Sequence, residues 1–313
     1  MVDLHTHSNV SDGELTPELL VKEAVKQGLQ AFALTDHDTI DGLERAKNAA
    51  LAEGICFIPG IEANINWKTG SMPRDVPGLG PGGEFHLLGL GIKPNPAFTA
   101  VIGELFRRRE ERNLKIMDKM HELSIEASWD ELLALADSIG NNGQPDDAQS
   151  SALSSTQSGS RSLGRPHFAN LLVKKKIVKS VDQAFSRYLG VGKPLYVPKD
   201  GLAFEEAAAL IRESGGIPVL AHPMSLYIAW GRLPEMVKAL KDRGLMGIEA
   251  WHPLAKQNSC RRLEALGKSL GLYITEGSDF HGLTRPGRKL GYSGRGRPIS
   301  EAVVQAIPEL AQF

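Results

Sequence analysis

Apolar runs of strand length alternate with stretches of helical period through the first sixty residues, and this rhythm constrains the fold more than any other feature. Val2–His5 reads as a short strand. Thr16-Pro17 opens a helix, since Thr is a good N-cap and Pro is preorganised at the first helical position. Leu20/Ala24 and Val21/Val25 repeat at i,i+4, and Gly28 ends the helix. Ala31–Thr35 reads as a strand, Ile40–Glu53 as a helix stopped by Gly54, and Cys56–Ile61 as another strand. A βαβαβ order calls for parallel strands with helical crossovers. The order resumes with a helix at Phe204–Glu213, a strand at Ile217–Ala221 and a helix at Leu233–Arg243. A strand at Gly247–Ala250, a helix at Ser259–Leu270 and a strand at Tyr273–Thr275 follow. With Phe85–Leu90 these make seven strands, enough for a closed or nearly closed α/β barrel.

The middle of the chain has a different character. Phe98–Leu123 reads as a long charged helix, with further helices at Trp129–Ile139, His167–Ile177 and Val181–Leu189. No convincing strand signal falls between residues 98 and 194. The expectation is a barrel built from 1–97 and 194–313, with a helical subdomain, 98–193, inserted into it. A chain of 313 residues accommodates this, at ~150 residues per domain. Asn141–Leu163 is rich in Ser, Gly, Gln and Asp and reads as a flexible loop without core-forming residues. Trp67–Gly83, rich in Gly and Pro, is a second irregular insertion.

Composition narrows the function. Lys plus Arg is 36 against 37 Asp plus Glu, which argues against a protein that mainly wraps nucleic acid. Two cysteines exclude a disulfide-built scaffold, a Cys-ligated structural zinc and an iron–sulfur protein. No apolar run reaches membrane-spanning length, and Met1-Val2-Asp3-Leu4-His5 does not open a signal peptide. A cytoplasmic enzyme or binding protein is expected, without a membrane partner.

The residues able to hold metal gather at strand ends. His5 and His7 close the first strand, where i and i+2 share a face and can grip one ion. Asp12 follows in the next loop, and Asp36-His37-Asp38 ends the second strand. Glu62 ends the third, and His222 ends Ile217–Ala221. Asp279 and His281, again i and i+2, follow the last strand. In a parallel barrel these ends lie on one face, where active sites are built. His86 instead begins its apolar run, and periodicity alone makes it a structural histidine. His252, two residues past a strand, is open to a structural or a substrate-facing role, and His121 lies on a charged helix surface. Imidazole and carboxylate without thiolate suit Mn²⁺, Fe²⁺ or Zn²⁺. The number of candidate ligands exceeds what one ion needs, so two to three ions are expected, with Glu62 a natural bridge.

The chain resembles the PHP family, the polymerase and histidinol phosphatase superfamily. The matching segments are Asp3-Leu4-His5-Thr6-His7, Ser11-Asp12-Gly13, Thr35-Asp36-His37-Asp38, Gly60-Ile61-Glu62, His86-Leu87-Leu88-Gly89-Leu90, Leu220-Ala221-His222-Pro223 and Gly277-Ser278-Asp279-Phe280-His281. The resemblance implies a distorted (β/α)₇ barrel, a three-metal site and phosphoester hydrolysis. It implies one ion held by His5, His7, Glu62 and Asp279, a second by Glu62, His86 and His222, and a third by Asp12, His37 and His281. His86 thereby becomes a ligand.

Gly192-Lys193-Pro194-Leu195-Tyr196-Val197 and Arg165-Pro166-His167-Phe168 resemble the branch of 3′,5′-nucleotide bisphosphate phosphatases and related 5′→3′ exoribonucleases. Met224-Ser225-Leu226-Tyr227 stands where that branch carries Gly-Arg-Tyr, so a phosphate-binding arginine expected there is absent. The implied chemistry is attack by a metal-activated hydroxide, with the ions neutralising the phosphoryl oxygens. Asp279 or His281 would orient the water or accept its proton, and His222 is a candidate proton donor to the leaving oxygen. Arg165, His167 and Lys193 are candidates to clasp a second phosphate or a nucleotide backbone, against the alternative of a solvated basic patch. The Arg107–Arg112 run reads as a charge-paired helix face. The expected partner is a small phosphorylated molecule, a nucleotide or short RNA, with no polymerase domain in cis. Phosphatases of other metabolites, such as histidinol phosphate, and amidohydrolase-like hydrolysis of a non-phosphate bond are the alternatives.

Overall fold

The computed structural model describes residues 1–66, 84–140, 162–282, 285 and 287–313. Seven strands form one sheet in chain order: β1 Val2–Asp3, β2 Ala31–Leu34, β3 Cys56–Asn64, β4 His86–Leu90, β5 Ile217–Leu220, β6 Gly247–Trp251 and β7 Tyr273–Glu276. A parallel bridge between Thr6 and Phe280, just beyond β1 and β7, brings the two edges together. The sheet is therefore nearly closed into a barrel. Helices α1 Pro17–Lys26 and α2 Leu43–Glu53 supply the crossovers between the first three strands, which pair in parallel. Thr16 caps α1 by accepting from the Leu19 amide, and Gly54 ends α2 in the left-handed region at φ 70°.

After β4 the chain enters helices α3 Pro96–Glu122, α4 Trp129–Gly140, α5 Arg165–Lys174 and the short α6 Val181–Ala184, which runs into a π-helical turn at Phe185–Leu189. The barrel resumes with α7 Phe204–Glu213, α8 Leu233–Asp242 and α9 Gln257–Ser269 around β5, β6 and β7, again parallel. Among the described residues no strand lies between α3 and α7, and no helix is long and apolar enough to cross a membrane.

One strand departs from the all-parallel expectation. β4 runs antiparallel to both β3 and β5. Its first residue, His86, pairs with Asn64 at the end of β3, while Leu87 pairs with Leu220 at the end of β5. The start of β4 thus lies at the barrel end where its neighbours finish. β3 is also longer than its apolar run suggests, so Glu62 sits inside the strand opposite Leu88.

Strand alternation separates two apolar faces. Leu4, Ala33, Ile58, Leu88, Leu90 and Val219 point into the barrel, where Ile299, Ile307 and Leu310 from the C-terminal segment join them. Phe32, Leu34, Ile61, Leu87, Leu220 and Ile248 face outward under the helices. A third cluster, including Ile116, Met120, Leu132, Phe168, Leu172 and Leu195, holds the helical middle together. Each fully buried Leu or Phe stabilises the fold by about 1.5–3 kcal/mol. Leu163 belongs to that third cluster and Ser162 is also buried, so the end of the segment read as a loop is anchored. Residues 141–161 and 67–83, the rest of the two irregular segments, lie outside the described residues.

Candidate metal centre

His5, His7, Asp12, His37, Glu62, His86, His222, Asp279 and His281 converge at one end of the barrel. They form four overlapping groups: His5, His7 and Glu62; His37, Glu62 and His86; His5, His222 and Asp279; and His7, Asp12, His37 and His281. Within each group the ligand atoms lie within 4.8 Å of one another. Parallel strands bring most of these residues to this end. The reversed β4 brings His86 there as well.

Glu62 is the centre of the arrangement. Its Oε1 lies 2.8 Å from both His86 Nδ1 and His222 Nε2. Its Oε2 lies 3.3 Å from His5 Nε2, 3.2 Å from His7 Nε2 and 3.0 Å from His37 Nδ1. One carboxylate therefore offers its two oxygens to two sets of imidazoles. Asp279 Oδ1 completes the second set, 3.6 Å from His5 Nε2 and 3.3 Å from His7 Nε2. Ligands ~2.0–2.2 Å from a tetrahedral ion stand ~3.4 Å apart, so this spacing suits a cation shared among them.

The Asp12 side of the cluster tests that fit independently. His7 Nδ1, Asp12 Oδ1, His37 Nδ1 and His281 Nε2 are buried and make no hydrogen bond. His281 Nε2 and Asp12 Oδ1 are 3.2 Å apart, yet out of hydrogen-bonding alignment. Buried polar atoms left unpaired cost stability unless something else satisfies them, and converging N and O donors are what a divalent ion requires.

Groups around the cluster fix the ligands' orientation. Glu249 Oε1 lies 2.9 Å from His5 Nδ1, and its Oε2 accepts from the His222 amide at 2.7 Å. Gly277 permits this, since a Cβ there would stand 2.4 Å from His5 Cβ and 2.6 Å from Glu249 Oε1. His252 Nε2 and Arg288 Nη1 reach Asp279 Oδ2 at 3.1 and 2.7 Å, and Arg285 reaches Asp12 Oδ2 at 2.7 Å. Ser225 Oγ donates to the Glu84 carbonyl at 3.2 Å, so its contact with His222 Nδ1 at 2.6 Å is accepted from the imidazole. That leaves His222 Nε2 turned to the Glu62 carboxylate, which against burial raises the pKa of the ring. Asp36 instead accepts from Ser8 and Ser11 and braces the loop that bears Asp12. Asp38, Asp279 and His222 hold positive φ angles of 52°, 51° and 26°. Such strain in non-glycine residues clusters where function over-determines the backbone.

Electrostatics sorts these groups. Burial alone would raise the carboxyl pKa of Glu62, but His37, His86 and His5 outweigh it and hold Glu62 well below the usual range. Asp12 is likewise held low against burial by His281 and Arg285, and Asp279 by Arg288 and His5. Burial pushes His37 well down and lowers His86, while burial with Arg285 and His7 brings His281 to about 4. These three imidazoles are neutral at pH 7. Burial also opposes charge on His7, but Asp279 and Glu62 raise it to about 9, and Glu249 and Glu62 raise His5 well above its ordinary value.

The cluster floors a cavity of ≈ 890 Å³. Arg109 and Arg112 of α3, Arg165 of α5 and Lys199 line it, together with Arg285 and Arg288. Of the residues read from the sequence as substrate contacts, Arg165 lines the cavity. Its guanidinium pairs with Glu84. His167 is buried, and its Nδ1 accepts from the Gly164 amide at 3.0 Å, capping α5; Lys193 is exposed, and neither residue lines the cavity. The Arg107–Arg112 run divides. Arg107 and Arg108 pair with Glu104 on the outer face, as its charge pattern suggests. Arg109 and Arg112 turn inward, in step with Leu105 and Ile116 at i, i+4, i+7 and i+11. Arg112 is only 6% exposed and its Nε makes no hydrogen bond. Burial, with Arg109 and Arg165 nearby, lowers its pKa to about 9.

A nearly closed α/β barrel with six imidazoles and three carboxylates converging at one end defines a metal-dependent hydrolase scaffold. Residues 3–188 match the PHP domain, and the chain belongs to that family. It is 32% identical over 280 residues to the 5′-3′ exoribonuclease of Haemophilus influenzae, covering 89% of each chain. It is 28% identical over 303 residues to the 3′,5′-nucleoside bisphosphate phosphatase of Chromobacterium violaceum, covering 96% of this chain and 94% of that one. A Bifidobacterium adolescentis protein described as a metal-dependent phosphoesterase superposes with a TM-score of 0.76 at 25% identity, over 98% of this chain and 94% of that one. The chain is a metal-dependent phosphoester hydrolase. Bound ions would supply Lewis acidity toward phosphoryl oxygens and a nucleophilic water near neutral pH.

Proposed function

We propose that the chain hydrolyses the P–O3′ bond of a nucleotide that carries a 5′-phosphate, either as a free 3′,5′-bisphosphate or as the first residue of a short RNA. The two relatives named above are a 5′-3′ exoribonuclease and a 3′,5′-nucleoside bisphosphate phosphatase, and a single ester cleavage would serve both kinds of substrate. The difference is whether the departing 3′-phosphate is free or begins the rest of the strand. The nine converging residues hold two to three divalent ions, of Mn, Fe or Zn, at the scissile phosphate. Arg109, Arg112, Arg165 and Lys199 receive the 5′-phosphate.

The observation that carries this reading is the surplus of positive charge beside the cluster. Asp38 pairs with Arg109, and Glu84 with Arg165 and Lys199. No carboxylate pairs with Arg112 among the described residues, and its buried Nε is unsatisfied. A phosphate offers the bidentate acceptor that such a guanidinium fits. The residues of the helical middle, 98–193, thereby act as the reader set against the barrel's reacting end. His222 serves as a ligand through Nε2, which faces Glu62. Asp279 or His281 orients the attacking water.

The test compares a 5′-phosphorylated RNA trinucleotide with its 5′-hydroxyl counterpart on Mn²⁺-loaded protein. The phosphorylated strand should have a kcat/KM at least about tenfold higher, as one charge-assisted phosphate clamp is worth ~1.5–3 kcal/mol. Equal values would remove the cationic wall from the account.

A further inference from the structure

The cavity lining includes exposed apolar residues as well as charged ones. Tyr227 is 78% exposed and Leu254 71% exposed, and both line it. They sit on the loops that carry His222 and His252, beyond β5 and β6. Tyr227 ends the 3₁₀ turn Pro223–Leu226 in the left-handed conformation, at φ 53° and ψ 31°. A bulky aromatic residue rarely adopts that conformation, and one held there at a site is a reason to look for function. Among the described residues its ring stacks on no other ring and lies under no cation, and its hydroxyl makes no hydrogen bond. Met224, Val181 and Phe185 extend the same apolar lining. An exposed aromatic and an exposed leucine, both lining a cavity that also holds the metal-ligating residues and arginines, suit a ligand that is anionic at one end and flat and apolar at the other.

We propose that Tyr227 and Leu254 form a platform for a nucleobase. The base stacks on the Tyr227 ring while Leu254 covers apolar surface beside it, and the phosphates reach inward to the metal centre and the arginines. The inference rests on the nucleotide reading above and adds to it the residues that recognise the base. Stacking is sequence-tolerant, because every base has a π-face, so purines and pyrimidines should both be accepted. The platform touches no reacting atom. It acts on binding, and its signature is a change in affinity or KM with kcat held.

The experiment separates base recognition from hydrolysis. Adenosine 5′-monophosphate and ribose 5-phosphate differ at C1′, where the nucleotide carries the base and the sugar phosphate a hydroxyl. Calorimetric binding of each to the full, Mn²⁺-loaded chain reads the base alone. Wild type should bind the nucleotide about 5- to 150-fold more tightly than the sugar phosphate, the range of ~1–3 kcal/mol for one base on one aromatic ring. Tyr227→Ala should erase most of that ratio, Tyr227→Phe should keep it, and Leu254→Ser should reduce it. Ribose 5-phosphate should bind all four proteins alike. Unchanged melting temperatures would show that the exposed substitutions leave the fold intact. Equal binding of the two ligands by wild type, or a ratio that survives Tyr227→Ala, would overturn the platform. A base preference that depends on Tyr227, in a protein that fails to hydrolyse any 3′-ester, would leave the platform standing and remove the P–O3′ reading instead.

Discussion

His86 meets Glu62 across an antiparallel strand pair, Nδ1 to Oε1 at 2.8 Å, from a position two residues out of register with it. The contact joins the one reversed strand to the carboxylate shared by both sets of imidazoles. Glu62→Gln should therefore disturb more than one ion. Elemental analysis should show at least two fewer ions per chain than wild type. Hydrolysis should fall by about a hundredfold or more, since an ion's Lewis acidity is worth several kcal/mol. Loss of a single ion would assign Glu62 to one metal only.

Proton release on metal binding follows from the imidazoles. His7, raised to about 9 against an ordinary 6.5, is protonated at pH 7 in the metal-free chain. A ligand must offer a lone pair, so metal binding at pH 7 should release protons. Calorimetry in buffers of different ionisation enthalpy measures the number. The sign is also visible in stability. A raised pKa stabilises the metal-free fold fully below about 6.5 and less as pH rises through about 9. The metal-free melting temperature should fall over that window, and saturating Mn²⁺ should suppress the fall.

Glu249 should act through His5 and the His222 amide without touching substrate. Glu249→Gln keeps the shape and loses the charge. Removing an orienting partner of a ligand histidine costs about 10–100-fold in metal affinity. Excess metal should restore much of the hydrolysis, which distinguishes orientation from chemistry.

Arg112 sets stability against function. Its buried guanidinium has no carboxylate partner among the described residues, so Arg112→Met should leave the melting temperature unchanged or raise it. The same change should raise KM for a 5′-phosphorylated strand and leave that for a simple aryl phosphate unmoved. A marked drop in stability would make Arg112 a structural residue.

The convergence of the strand-end histidines and carboxylates is legible because parallel βα units bring their carboxyl ends together, and His5-x-His7 and Asp279-x-His281 share a face by strand period alone. His86 was not legible from periodicity, because its place depends on the direction of β4, and one apolar run reads the same either way. Glu249 sits inside its strand, where nothing local marks it as the partner of His5. Arg109 and Arg112 could have been found. They continue the apolar stripe of Leu105 and Ile116, which the charge pattern of the run obscured. His167 and Lys193 belong to segments that resemble the bisphosphate-phosphatase branch, and membership of a segment does not say whether a side chain faces the cavity.

The identity of the broken ester tests the central claim most directly. Adenosine 3′,5′-bisphosphate incubated with Mn²⁺-loaded protein in ¹⁸O-enriched water should give adenosine 5′-monophosphate and inorganic phosphate, with the label in the phosphate, as read by ³¹P NMR. Adenosine 3′-monophosphate as the product would place the 5′-phosphate at the metal centre and contradict the account.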